Sequence, residues 1–127
     1  MSDSLSLDEE TYETLDRLCC GETEAHVESL RGLQPDDGAA ETQQAVFKAL
    51  ANEDRLRLLA ALRECECCVC ELQVVLDAPQ STVATHLRKL KDAGLIKSRK
   101  KGKWSYYRIA DTAALEILDL AASMETG

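Results

Sequence analysis

Two short amphipathic segments joined by a tight turn most constrain how this chain of 127 residues folds. Four apolar residues recur at helical spacing in the first segment: Val69, Leu72, Val75 and Leu76. Four more do so in the second: Val83, Leu87, Leu90 and Ala93. A turn at residues 77–80 separates the segments, and Gly94 follows the second as a C-terminal cap. The pattern predicts a helix-turn-helix over residues 69–94.

A β-hairpin is predicted directly after these helices, over residues 96–109. β-Favouring residues, including Trp104, Tyr106 and Tyr107, lie around a turn at Lys101-Gly102. A last helix is predicted over residues 111–124, and it is too apolar on both sides to remain solvated, so we expect it to pack on a second subunit. The predicted fold class is therefore mainly α with a small β-hairpin wing, a homodimeric winged helix-turn-helix.

The remaining chain predicts an N-terminal extension. Residues 1–40 are expected to form a helical extension that carries Cys19 and Cys20, and residues 41–127 the winged domain. Residues 34–39, with Pro35 and Gly38, are expected to be a linker. An apolar run of about 18 residues and a charged, apolar leader are both missing from the sequence, so we expect no membrane span and a cytoplasmic location.

Charge is distributed unevenly along the chain. The net charge is −8, yet residues 80–108 contain nine Lys or Arg and one acid, whereas residues 1–79 contain six bases and eighteen acids. A basic block within an acidic protein is typical of a surface that contacts phosphates, and the alternative is an ordinary solvated face. We therefore expect a partner of double-stranded DNA, with a near-palindromic operator matching a twofold dimer.

The residues predicted to contact DNA lie at the start and on the outer face of the second helix and at the tip of the wing. Residues near the helix start are expected to reach base edges, and the basic residues to bind phosphates. The full set is Gln80, Ser81, Thr82, Thr85, His86, Arg88, Lys89, Lys91, Arg99, Lys100, Lys101 and Lys103.

Four of the six cysteines fall within six positions, at the start of the helix-turn-helix: Cys65, Cys67, Cys68 and Cys70. In a reducing compartment such a cluster points to metal or redox chemistry more than to a disulfide framework. Thiolates select soft ions. Residues three apart, such as Cys65 and Cys68, would share a face of a helix. A structural zinc site, a redox sensor without metal and a metal-buffering protein remain alternatives. With His26 and His86 as the two histidines, we expect no enzyme.

The sequence resembles the ArsR/SmtB family of metal-responsive winged-helix repressors. The resemblance lies in residues 48–59, 68–72, 80–96 and 106–109, and Cys68-Val69-Cys70-Glu71-Leu72 is close to the metal box of the arsenic and cadmium/lead branches. It implies a homodimer that represses its operator when metal-free and releases it when As(III)/Sb(III) or Cd(II)/Pb(II)/Zn(II) binds, with no organic cofactor.

The sequence departs from the family pattern at two places. Gln73 occupies the position of a third cysteine in some arsenic boxes, and no histidine follows His86 to build a zinc site beside Asp111 on the last helix. Some members complete the site with cysteines from the partner's N-terminal extension. The resemblance thus implies a metal site of Cys68 and Cys70 with the other chain's Cys19 and Cys20, and Cys65 and Cys67 are the second choice.

Overall fold

The protein is described by a computed structural model that covers residues 8–19, 22–34 and 36–124, with only the backbone of Cys19 and Asp37. The chain divides into two compact units, Met1–Ala39 and Ala40–Gly127. No helix in the described ranges is long and apolar enough to cross a membrane.

The first unit contains α1, Glu9–Cys19, and α2, Thr23–Arg31. The Asp8 carboxylate accepts a hydrogen bond of 2.7 Å from the Thr11 N–H and caps α1. The buried Thr23 hydroxyl donates to Asp16 at 2.6 Å, which ties the start of α2 to α1.

Two longer helices follow, α3 at Asp37–Leu50 and α4 at Glu53–Glu64. The expectation of a linker over residues 34–39 was wrong at its C-terminal end, because α3 already begins at Asp37. The Asp36 side chain accepts from the Ala39 N–H at 2.8 Å and so supplies the helix cap. Asn52 caps α4 in the same way, accepting from the Arg55 N–H at 3.0 Å.

The predicted helix-turn-helix is present as α5, Val69–Leu76, and α6, Gln80–Asp92. Asp77 ends α5 in the left-handed conformation, with φ 51° and ψ 52°, and redirects the chain into the turn. Gly94 follows α6 with φ 79°, a conformation that glycine adopts without strain.

The predicted hairpin is present as β2, Ile96–Lys101, and β3, Trp104–Ile109, joined through Gly102 with φ 65°. A third antiparallel strand, β1 at Cys67–Cys68, was not predicted. It lies on the other edge of β3, with Cys67 opposite Tyr107 and Cys68 opposite Tyr106. The cysteine segment is therefore part of the wing sheet.

The last helix, α7, spans Thr112–Ser123, and Asp111 caps it by accepting from the Ala113 N–H at 2.9 Å. Arg63 on α4 donates to Asp119 on α7 at 2.7 Å. The core of the second unit is built from buried apolar residues of α4, α5, α6 and β2: Leu58, Leu59, Leu62, Leu72, Val83, Leu87, Leu90 and Ile96. Burial of these side chains fixes α5 and α6 relative to the wing.

Candidate thiol centre and DNA-binding surface

Helix α6 has one buried face and one polar face. Val83, Leu87 and Leu90 are at most 1% exposed, which orients the rest of the helix. Its predicted DNA-contacting residues divide by exposure. Five are exposed: Gln80, Ser81, Arg88, Lys89 and Lys91. Thr82 and Thr85 are half-buried, and the Thr85 hydroxyl donates to the Ser81 carbonyl at 3.0 Å.

His86 does not lie on the outer face, and that expectation was wrong. Its side chain is 14% exposed and turns toward α4, where Nε2 lies 3.8 Å from Asp54. Its Nδ1 lies 3.3 Å from the Arg55 guanidinium. Because a guanidinium only donates, Nδ1 must accept this bond. His86 thus joins α6 to α4 instead of projecting freely from the recognition surface.

The wing presents Lys100, Lys101 and Lys103 as exposed charges around its turn. Lys103 lies over the Trp104 ring, with its ammonium 5.6 Å from the ring centroid. Lys91 donates to Ser98 at 2.8 Å, which connects the end of α6 to β2. These charges and those of α6 form a basic surface on the second unit.

Arg99 was expected at the tip of the wing, but it lies within β2 opposite Tyr106. Its guanidinium donates twice to the Glu66 carboxylate, at 2.6 and 2.7 Å, next to the cysteine strand. The Arg99 guanidinium holds the pKa of Glu66 below its ordinary value, mainly through this hydrogen bonding. Arg99 therefore has an acidic partner where a phosphate contact was predicted.

Cys68 and Cys70 lie where β1 passes into α5. Cys68 is the N-terminal cap of α5, and its backbone N–H donates to the Glu71 carboxylate at 2.9 Å. Cys70, in the first turn, is exposed and borders a cleft of 260 Å³. That cleft is lined by Val69, Cys70, Gln73, Gln80, Lys103, Trp104 and Ser105. Cys70 is exposed and Cys68 is half-buried, and their position links the wing sheet to the first helix of the helix-turn-helix.

Cys65 and Cys67 form a second pair, with their sulfurs 3.6 Å apart. The expectation that cysteines three apart share a helical face was wrong here, because this segment is extended and brings residues two apart to one side. Cys65 is exposed, whereas Cys67 is 5% exposed and belongs to the core. Burial raises the pKa of the Cys67 thiol to about 12, and the neighbouring Cys65 adds to the rise.

The thiols of Cys68 and Cys70 suit a soft ion chemically, but they supply only two ligands. Among the described residues, no group of three or more His, Cys, Asp or Glu side chains is arranged to hold a metal ion. The Cys19 side chain and the whole of Cys20 lie outside the described part of the chain. An ion bound at Cys68 and Cys70 therefore needs further ligands from elsewhere.

Sequence reasoning missed two residues that organise this region. Arg55 is 8% exposed and donates to the carbonyls of Ala49 and Lys48 at 2.6 and 3.3 Å, in addition to its contact with His86. Glu66 holds Arg99. The role of Arg55 could have been suspected from the sequence because an arginine falls among the apolar residues of α4. The sequence contained no indication that Glu66 pairs with Arg99.

Comparison with known proteins identifies the family. A family profile described as "Bacterial regulatory protein, arsR family" matches residues 52–98. A "Transcriptional repressor SmtB homolog" from Synechocystis is 35% identical over 101 residues, which cover 77% of this chain and 76% of the relative. The chain belongs to the ArsR family. An "Arsenic resistance transcriptional regulator ArsR1" from Pseudomonas putida is 45% identical over 69 residues, 54% of each chain. The ArsR-family chain thus spans about half the length of that relative.

A solved structure supports the fold of this ArsR-family chain. It is the homodimeric winged helix-turn-helix DNA-binding domain of a possible ArsR-family transcriptional regulator from Mycobacterium bovis. The TM-score is 0.64 at 33% identity, covering 71% of this chain and 85% of that one. The predicted winged helix-turn-helix is confirmed. These proteins are regulators and not enzymes, in agreement with the expectation from the sequence.

Proposed function

We propose that this protein is a cytoplasmic, DNA-binding transcriptional repressor that releases a near-palindromic operator when a thiophilic ion binds its cysteines. The observation that best supports this proposal is the position of Cys68 and Cys70 at the junction of β1 and α5. This junction connects to both parts of the basic surface, because β1 pairs with the wing and α5 packs against α6. An ion that displaces this junction would therefore move both α6 and the wing.

In this proposal, Cys68 and Cys70 bind the ion together with Cys19 and Cys20 of the second subunit. Because the described residues hold no ready group of three or more ligands, the extension is the source that supports the proposal. The arsenic-related name of the Pseudomonas putida relative favours As(III) as the inducer. Soft thiolate donors also accommodate Cd(II), Pb(II) and Zn(II).

The proposed repressor acts as a homodimer. Apolar side chains of the second unit support this, since Phe47 on α3 and Leu120 on α7 are 56% and 67% exposed, and Met124 directly after α7 is 70% exposed. A second copy would cover such residues, and the similar Mycobacterium bovis domain is homodimeric. Light scattering is expected to give twice the mass of the chain.

Each subunit of the proposed dimer contacts DNA through the exposed residues of α6 and the lysines of the wing. A hundredfold loss of DNA affinity on ion binding requires a coupling free energy of about 2.7 kcal/mol. Several metal–thiolate bonds that form only in the released conformation are sufficient to supply it. The ion therefore acts by favouring a conformation in which the two α6 helices no longer match the operator.

Fluorescence anisotropy of the reduced protein on DNA from its own promoter tests the proposal. Parallel titrations use As(III), Sb(III), Cd(II), Pb(II), Zn(II) and peroxide. Release by As(III) at near-stoichiometric amounts is expected, and release by another of these ions alone would replace As(III) as the inducer. Release only by peroxide would contradict metal sensing, and absence of DNA binding would overturn the repressor assignment.

The double variant Cys68→Ser/Cys70→Ser tests the thiols directly. It is expected to bind DNA like the parent protein and to lose release, because Cys70 is exposed, Cys68 is half-buried and neither belongs to the buried core. Cys65→Ser is the matched control, an exposed cysteine in the same segment that is expected to retain release. A double variant that still responds would exclude Cys68 and Cys70 as the sensor.

A further inference from the structure

The four clustered cysteines are divided by the fold into two pairs. Neighbouring residues of a strand point to opposite sides of the sheet, so Cys67 turns into the core while Cys68 stays half-exposed at the start of α5. Cys65 lies on the side of Cys67, with the sulfurs 3.6 Å apart. This second pair is not used by the proposed sensor.

From this geometry we propose that Cys65 and Cys67 form a separate dithiol site for trivalent arsenicals that carry one carbon substituent. The arsenic of such a compound carries two exchangeable ligands, so two protein thiols complete its coordination without a third ligand. The inference goes beyond the proposed function, because it concerns other thiols and another class of ligand, and it does not require release of DNA.

The sulfur separation is suited to chelation of one atom. Two thiolates on a tetrahedral centre with bonds of about 2.3 Å lie about 3.8 Å apart. At a pyramidal trivalent arsenic the angle between the two As–S bonds is narrower, which brings the sulfurs somewhat closer together. The observed distance of 3.6 Å between the sulfurs of Cys65 and Cys67 agrees with binding of one such atom. A disulfide, with a bond of about 2.05 Å, requires them to approach by roughly 1.5 Å more.

Each thiol is held by a different element, so the pair is arranged before a ligand arrives. Cys65 is the C-terminal cap of α4, and its N–H donates to the Ala61 carbonyl at 3.3 Å. Cys67 is fixed by pairing with Tyr107 and by the core. Between them, Glu66 is held by its two hydrogen bonds from Arg99. A rigid pair of donors loses little entropy on binding.

The binding reaction is a condensation without change of oxidation state. The arsenical R–As(OH)₂ exchanges both hydroxyls for thiols, so that two As–O bonds break and two As–S bonds form. Each thiol proton leaves with a hydroxyl as water, and arsenic remains trivalent. The exposed Cys65 reacts first, and Cys67 then closes the chelate from the buried side.

The test uses the full chain with the substitutions C19S, C20S, C68S and C70S, which leave Cys65 and Cys67 as its thiols. The reduced protein is titrated with phenylarsine oxide and followed by intact mass and free-thiol content. One phenylarsenic group per chain is expected, with both thiols consumed. Absence of an adduct, or loss of both thiols without added arsenic, would overturn the proposal.

Adding Cys65→Ser to this background gives the decisive comparison, because Cys65 is exposed and its replacement leaves the core intact. The remaining thiol forms only one As–S bond, and affinity measured by competition with a small dithiol is expected to fall at least tenfold. Unchanged affinity would overturn the site. Circular dichroism of both variants verifies folding. Failure here leaves As(III)-dependent release through Cys68 and Cys70 unaffected, so the two proposals are distinguished.

Discussion

Glu66 and Arg99 form a two-point ion pair, with Oε1–Nη2 at 2.6 Å and Oε2–Nε at 2.7 Å. The pair connects the cysteine segment to β2 of the wing, and the Arg99 guanidinium also lies 5.9 Å from the centroid of the Tyr106 ring. A charge that is satisfied within the protein contributes less to binding of external phosphates. Arg99 is therefore distinguished from the lysines around it.

The first prediction concerns the share of Arg99 in DNA binding. Lys101→Ala is expected to reduce the steepness of log affinity against log salt by about 1.8 per dimer, because it removes one phosphate contact from each subunit. Arg99→Ala is expected to change the slope much less, and Glu66→Gln to steepen it by releasing the guanidinium. Anisotropy at several salt concentrations measures all three. An equal effect of Arg99→Ala and Lys101→Ala would contradict this role.

The second prediction concerns Arg55, whose guanidinium satisfies two backbone carbonyls and contacts His86. Arg55→Met is expected to lower the free energy of unfolding by about 2 kcal/mol or more, since buried acceptors lose a charged donor. Urea unfolding measures it. Arg57→Met is the matched control on the same helix: Arg57 is 55% exposed, and its pairs with Glu53 and Asp54 should contribute at most about 1 kcal/mol. Similar losses in both variants would refute the anchoring role of Arg55.

The third prediction concerns the packing of the helix-turn-helix. Val83 on α6 is 0% exposed and Val74 on α5 is 82% exposed. Val83→Ala is expected to cost about 2 kcal/mol, from lost burial of two methyl groups and the cavity they leave. Val74→Ala is expected to be nearly neutral. Chemical denaturation compares them, and a neutral Val83→Ala would mean that this part of the core repacks freely.

The fourth prediction concerns pH and the contact between α4 and α7. Hydrogen bonding from Arg63 lowers the pKa of Asp119 below its ordinary value of 3.8. The carboxyl of Asp119 therefore binds a proton more readily in the unfolded chain than in the folded chain. The contact stabilises the fold above pH 3.8, and this stabilisation is lost as the pH falls through the lowered pKa of the folded state. Asp119→Asn is expected to reduce the melting temperature slightly near neutrality.

The difference between parent and Asp119→Asn proteins should shrink in acid and disappear once Asp119 is protonated. Melting curves from pH 7 to pH 2 measure this difference. Asp111→Asn is a poor control, because Asp111 caps α7 directly, whereas Glu116→Gln changes the same net charge on the same helix. A difference in melting temperature between these two proteins that persists in strong acid would show that Asp119 acts through something other than its charge.

Local patterns in the sequence were sufficient for the helix-turn-helix and the hairpin. The apolar spacing of Val83, Leu87 and Leu90 identified the buried face of α6, because one helix determines which of its residues share a side. Gly94 and Gly102 have the positive φ values that their turns require. These features depend on neighbours within a few residues, which the sequence displays directly.

The details of the site depend on partners distant in the sequence. His86 turns inward to meet Arg55, 31 residues away, although the helical pattern placed it outside. Arg99 meets Glu66, 33 residues away, although its neighbours in the sequence indicated a phosphate contact. No local periodicity encodes such pairs, since each depends on how packed elements meet.

The sequence by itself determined the helix-turn-helix, the hairpin and the last helix in their order, the basic block and the clustering of thiols. Only the tertiary structure decided how those thiols are grouped. The two-residue strand β1 has no periodicity of its own and exists because β3 offers it hydrogen bonds. That pairing extends the backbone, brings Cys65 to Cys67 and turns Cys68 away from them. Helical spacing alone predicts a different grouping, because backbone conformation, and not separation along the chain, determines which side chains meet.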